Sequence, residues 1–131
     1  VGKANSKQRD MSAVILEVLE QAISSIRPGV TSAEVDSRCR EIAEKSEVSG
    51  RFAHRTGYAI GIGFPPNWSE GRFLALRPED PTVLKAGMTF HCVPTLFDEE
   101  YGMCFSESVL VTDHGCEVLT QYPRKLFEIS G

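Results

Sequence analysis

The sequence predicts an α+β domain in which two N-terminal helices pack on a mainly antiparallel sheet. Three observations carry that prediction. Apolar residues recur at helical spacing through the first 46 positions, alternation typical of strands takes over after residue 50, and helices precede strands without interleaving. A chain of 131 residues suffices for one domain, spanning 1–131, with one buried core.

The elements follow in order. Met11, Val14, Ile15, Val18, Leu19, Ala22, Ile23 and Ile26 form one apolar stripe on a long helix, which Pro28-Gly29 stops. "TSAEV" reads as a capping box, with Thr31 at the N-cap and Glu34 three residues on. The second helix turns Val35, Cys39, Ile42 and Ala43 inward and runs to about Ser46, and a short Gly-containing turn makes the two an αα pair. "GMTFHCVP" sets Met88, Phe90 and Cys92 on one strand face and Thr89, His91 and Val93 on the other. "GMCFSESVLVT" alternates as well, and "TDHG" before "CEVLT" reads as a hairpin turn with Gly115 suited to positive φ. Residues 64–87, rich in Pro, Gly and charge, read as loop with one short strand at Phe73 to Leu76.

Composition excludes several classes of function. With 14 basic against 18 acidic residues, a net charge of -4 and no basic run, the chain lacks a nucleic-acid footprint. No apolar stretch approaches the roughly 20 residues that span a bilayer, and "VGKANSKQRD" lacks the apolar core of a signal peptide. The expectation is a cytoplasmic protein with no membrane partner. Cys39, Cys92, Cys104 and Cys116 show no CxxC spacing and read as reduced, mostly buried thiols. A zinc site joining them to His54, His91 or His114 lacks close-spaced ligand pairs, so neither metal nor cofactor is expected.

The residues able to carry chemistry are few. Glu107 shares its strand face with Met103, Phe105, Val109 and Val111, where a carboxylate must be paired, hydrogen-bonded or protonated. A bulge turning it outward is the competing reading. His54 opens the stretch "HRTGYAIGIGFPP", where a group titrating near neutrality adjoins backbone that a ligand can approach closely, although a lone histidine before a turn is more often structural. His91 lies among apolar strand neighbours, and a core role competes with a site role. His114 sits in a turn and reads as solvated. "GYAIGIG" is not a dinucleotide fingerprint, because no helix pattern with an acid roughly 20 residues on follows it. "FPPNW" reads as a rigid lip whose Phe64 and Trp68 offer pocket-lining surface.

Together, "IRPGVTSAEVD", "HRTGYAIGIGFPPNW", "LKAGMTFHCVP" and "ESVLVTDHGCEVLTQYPRKLF" resemble the creatinase / methionine aminopeptidase / prolidase family with its pita-bread fold. Within the family the chain is most similar to the Xaa-Pro dipeptidase-like and ectoine-hydrolase-like branch, over about Gly2 to Phe127. The resemblance implies half of a pita-bread fold, the second half of the catalytic domain, without the first half's two aspartate metal ligands. The remaining ligand positions fall on Tyr58, Pro65, Val93 and near Ser106 or Glu107, so the resemblance implies loss of the dinuclear metal site.

What remains on that reading is His54, His91 and Glu107 as catalytic candidates. Arg55, Tyr58, Phe64 and Trp68 would contact substrate, with Arg55 meeting a carboxylate. Three functions follow: a truncated, metal-independent domain binding a small amino-acid-like ligand with little hydrolysis of its own; a metal-free C–N hydrolase completed by dimerisation; or an interaction module with a fossil site. A bare apolar sheet face, where the missing half would lie, implies a homodimer.

Overall fold

The first helix, α1 (Ser6–Ser25), starts earlier than its apolar stripe. Asn5 caps it by accepting from the Gln8 amide at 2.8 Å while the Gln8 side chain accepts from the Asn5 amide at 3.0 Å. It ends where Pro28 approaches, with Ile26 already extended and Gly29 at φ 87°, a conformation glycine adopts without steric cost. Thr31 and Glu34 form the expected capping box on α2 (Ser32–Lys45). The computed structural model describes residues 2–46, 48, 51–64, 67–69 and 73–129, with backbone alone at 63, 64 and 67–69.

The strands are β1 (Gly57–Phe64), β2 (Asn67–Ser69), β3 (Ala75–Leu76), β4 (Thr89–Cys92), β5 (Thr95–Phe97), β6 (Gly102–Cys104), β7 (Glu107–Val111) and β8 (Cys116–Val118). The main sheet runs β2-β1-β4-β7-β8, with β3 also on β1, and β5 with β6 makes a separate hairpin. Every described pairing of these strands is antiparallel. The predicted class, two helices on a mainly antiparallel sheet, is therefore the observed one.

Details differ from the sequence expectation. The "GMCFSESVLVT" stretch divides into β6 and β7, because the chain leaves the hairpin at Phe105-Ser106 and enters the main sheet at Glu107. Strand β3 is shorter than expected, with Phe73 left 81% exposed outside it. Gly115 does not take positive φ; Thr112 closes that turn instead, its hydroxyl oxygen accepting from the Gly115 amide at 3.1 Å.

Two apolar clusters meet along α1. Leu19 and Ile26 pack on the sheet against Ala59, Leu76, Phe90, Cys92, Val109 and Val111. Met11, Ile15, Val18 and Ala22 pack against α2 through Cys39 and Ala43 and against the β5–β6 hairpin through Leu96. The helices thus cover one face of the sheet. The other face is open, and it is mixed where a wholly apolar one was expected: register places Tyr58, Thr89, His91 and Ser108 there beside Ile60 and Leu110.

Candidate functional site

The open face gathers its chemistry where β1 meets β4. Tyr58 stands directly opposite His91 across that antiparallel pair. Their rings meet edge to face at 5.2 Å between centroids, and Tyr58 Oη lies 2.8 Å from His91 Nδ1. Burial holds the His91 imidazole below its ordinary pKa, so the ring is neutral at pH 7 and this bond is made with one nitrogen. The Arg55 guanidinium lies over the Tyr58 ring at 4.7 Å. A cation, a phenol and a neutral imidazole are therefore contiguous, a set suited to a carboxylate with a neighbouring polar group.

Close approach of the strands makes this possible. A Cβ on Gly57 would lie 2.7 Å from the His91 carbonyl oxygen and 3.1 Å from the Cys92 Cα. Only glycine lets β1 and β4 come together beside the Tyr58–His91 pair.

The other candidates are elsewhere. His54 is exposed just before β1, with its Nδ1 3.2 Å from the Arg55 carbonyl oxygen. Glu107 faces the helices with Val109 and Val111, opposite Cys92 in the register, and is 2% exposed. That places its carboxylate on the far side of the sheet from Tyr58 and His91. Its partner is Arg124, whose Nε lies 3.4 Å from Oε1, while Oε2 has no hydrogen-bond partner among the described residues. The expected pairing of a carboxylate on an apolar face is met by a guanidinium from the C-terminal segment. The side chains of Phe64 and Trp68, and Pro65 and Pro66 of the lip, lie outside the described residues.

One cluster escaped the sequence reading. Asp36 on α2 is fully buried, and its Oδ1 accepts from the Thr56 amide at 3.1 Å and the Thr56 hydroxyl at 2.7 Å. Arg40, one turn on, donates through Nε to Asp36 at 2.5 Å, through Nη1 to the Phe52 carbonyl at 2.8 Å and through Nη2 to the His54 carbonyl at 2.9 Å. The signal was present: an acid one residue after Val35, on the stripe that buries Cys39 and Ala43, with an arginine four residues on. Arg124 gave no such signal, since only folding brings it to Glu107.

Among the described residues no three His, Cys, Asp or Glu side chains come together in a way that could hold a metal ion. No described helix is long and apolar enough to cross a membrane.

The profile of metallopeptidase family M24 matches residues 1–113. Ectoine hydrolase from Halomonas elongata is 38% identical over 127 residues, covering 97% of this chain and 31% of that protein. Xaa-Pro dipeptidase from Pyrococcus furiosus is 32% identical, covering 96% of this chain and 35% of that protein. Among solved structures, dipeptidase PepE from Mycobacterium ulcerans superimposes with a TM-score of 0.88 at 25% identity, over 100% of this chain and 34% of that one. The prolidase from Pyrococcus furiosus gives 0.84 at 31% identity, over 94% of this chain and 35% of that one. The chain spans about a third of the length of the relatives it matches.

Proposed function

This chain belongs to metallopeptidase family M24, and from that premise we propose that it acts as the second half of such a catalytic domain, binding a small amino-acid-like ligand on its open face with little hydrolysis of its own and no metal. The observation that carries this reading is the Tyr58–His91 pair under Arg55, on the face the helices leave free. Arg55 would take a ligand carboxylate, and the second nitrogen of neutral His91 would hydrogen-bond a polar atom beside it. Glu107, turned to the helix side and tied to Arg124, supplies no acid or base to that face, which is why turnover is not expected. His54, the residue before Arg55, is exposed, and its imidazole could reach a ligand held by that arginine.

The relatives' names point to probes: glycyl-L-proline and ectoine. Calorimetric titration with each, on the chain and on its Tyr58→Phe and His91→Ala variants, tests the reading. Binding that both variants weaken supports it; binding that neither variant changes refutes the placement.

A second reading, a metal-free C–N hydrolase completed by a second copy, is favoured by the same phenol–imidazole bond, which could pass a proton to a leaving amine. A homodimer is supported by Ile62 and Phe73, left 89% and 81% exposed. Light scattering that reads a monomer at micromolar concentration would remove both the dimer and this second reading. The four free cysteines fit a reducing compartment such as the cytoplasm.

A further inference from the structure

We propose that Asp36 and Arg40 are positioning residues for the open-face site, a role that rests on the ligand-binding reading above. Neither touches Tyr58 or His91; they act on the approach to β1. Arg40 holds the carbonyls of Phe52 and His54, and Asp36 holds both the amide and the hydroxyl of Thr56. Arg55 is therefore bracketed, with residue 54 fixed through its carbonyl and residue 56 through its amide and side chain. That bracket sets the direction in which Arg55 leaves the backbone, and the guanidinium arrives 4.7 Å from the Tyr58 ring.

The chemistry of the clamp is specific to its residues. One planar fork satisfies a carboxylate and two carbonyls in different directions, which a single ammonium cannot do. Arg40 also lies over the Phe52 ring at 5.0 Å, which limits its own freedom. Its ion pair with Asp36 would stabilise α2 without any reach to Phe52 and His54, so helix stability does not account for those two bonds. Thr56 donates its amide to the Leu76 carbonyl as well, at 2.9 Å, so the clamp ends where β1 takes up its pairing with β3.

The test compares Arg40→Gln, Arg40→Lys and Asp36→Asn with the unaltered chain, with Val111→Ala as a control that loosens the core on β7, two strands away from β1. Two quantities are read: the dissociation constant of glycyl-L-proline, and the ring resonances of Tyr58 by NMR, assigned by their loss in Tyr58→Phe. Arg40→Gln and Asp36→Asn are expected to move the Tyr58 resonances and weaken binding about tenfold. Arg40→Lys falls between, and Val111→Ala changes neither despite a lower melting temperature. Unmoved resonances and an unchanged dissociation constant in a folded Arg40→Gln chain would overturn the proposal. If the unaltered chain binds no probe, the ligand reading fails by itself, and the Tyr58 resonances still decide the positioning claim. Should Arg40→Gln not fold, Arg40→Lys decides by the same two readings.

Discussion

Removing Arg124 should destabilise the protein only because Glu107 is there. Arg124→Ala takes the counter-cation from a carboxylate that is 2% exposed. Breaking a fully buried pair costs about 3–5 kcal/mol. Here the Arg124 side chain is 35% exposed and the contact is 3.4 Å, so water carries part of the compensation. The expected loss falls to about 2 kcal/mol. Glu107→Met places an apolar chain beside Val109, Val111 and Cys92, removes the unpartnered Oε2, and should cost less than about 1 kcal/mol or stabilise. In that background Arg124→Ala should cost less than about 0.5 kcal/mol. Urea unfolding of the four proteins closes the cycle, with an unchanged m-value as the condition for comparing them. Equal losses from Arg124→Ala in both backgrounds would refute the pairing argument. A Glu107→Met penalty above about 3 kcal/mol would show that the carboxylate has work the structure does not assign to it.

Three further outcomes follow. Because burial lowers the His91 pKa, the unfolded chain binds more protons between the folded value and the ordinary one near 6.5; stability is therefore complete above that range and declines as pH falls through it, so the melting temperature should drop from pH 7.5 to pH 5, and His91→Asn should flatten the decline. An unaltered slope in that variant would show that other groups set it. Gly57→Ala drives a methyl group into the His91 carbonyl and should cost about 1–3 kcal/mol by urea unfolding while perturbing the Tyr58 and His91 resonances; a neutral result would mean the strands separate freely. Of the four thiols, the exposed Cys104 should react at once with a disulfide reagent at pH 8, whereas Cys39, pushed up to about 12 by burial, should react only as fast as the protein opens. A rapid second equivalent traced to Cys39 would contradict its packing.

The helices were legible because their signals are local: a stripe at helical spacing and a capping box whose two partners lie three residues apart. Strand faces at Phe90, Cys92, Val109 and Val111 were legible for the same reason, since alternation survives any tertiary arrangement. What could not be read was which side of the sheet each face would meet. Glu107 and His91 are both strand residues of the expected chemistry, yet a one-residue difference in register parity sends them to opposite faces. The role of Asp36 depended on Thr56, 20 positions away, and that of Arg124 on a segment that only the finished fold brings past β7.

Helix α1 contributes Met11, Ile15, Val18 and Ala22 to one cluster and Leu19 to the other, which Ile26 joins just past the helix end, so it is common property of both. Loosening α1 therefore weakens both clusters together. The amides between Ile15 and Ala22 should accordingly exchange with deuterium only through whole-molecule opening, and report the global unfolding free energy. Loss of one large α1 side chain, such as Ile15, would then lower exchange protection at every amide that opens only globally, including any such amide at Phe90 on the sheet, although Ile15 and Phe90 belong to different clusters. The protein would come apart as one piece because both halves of its interior are nailed to the same beam.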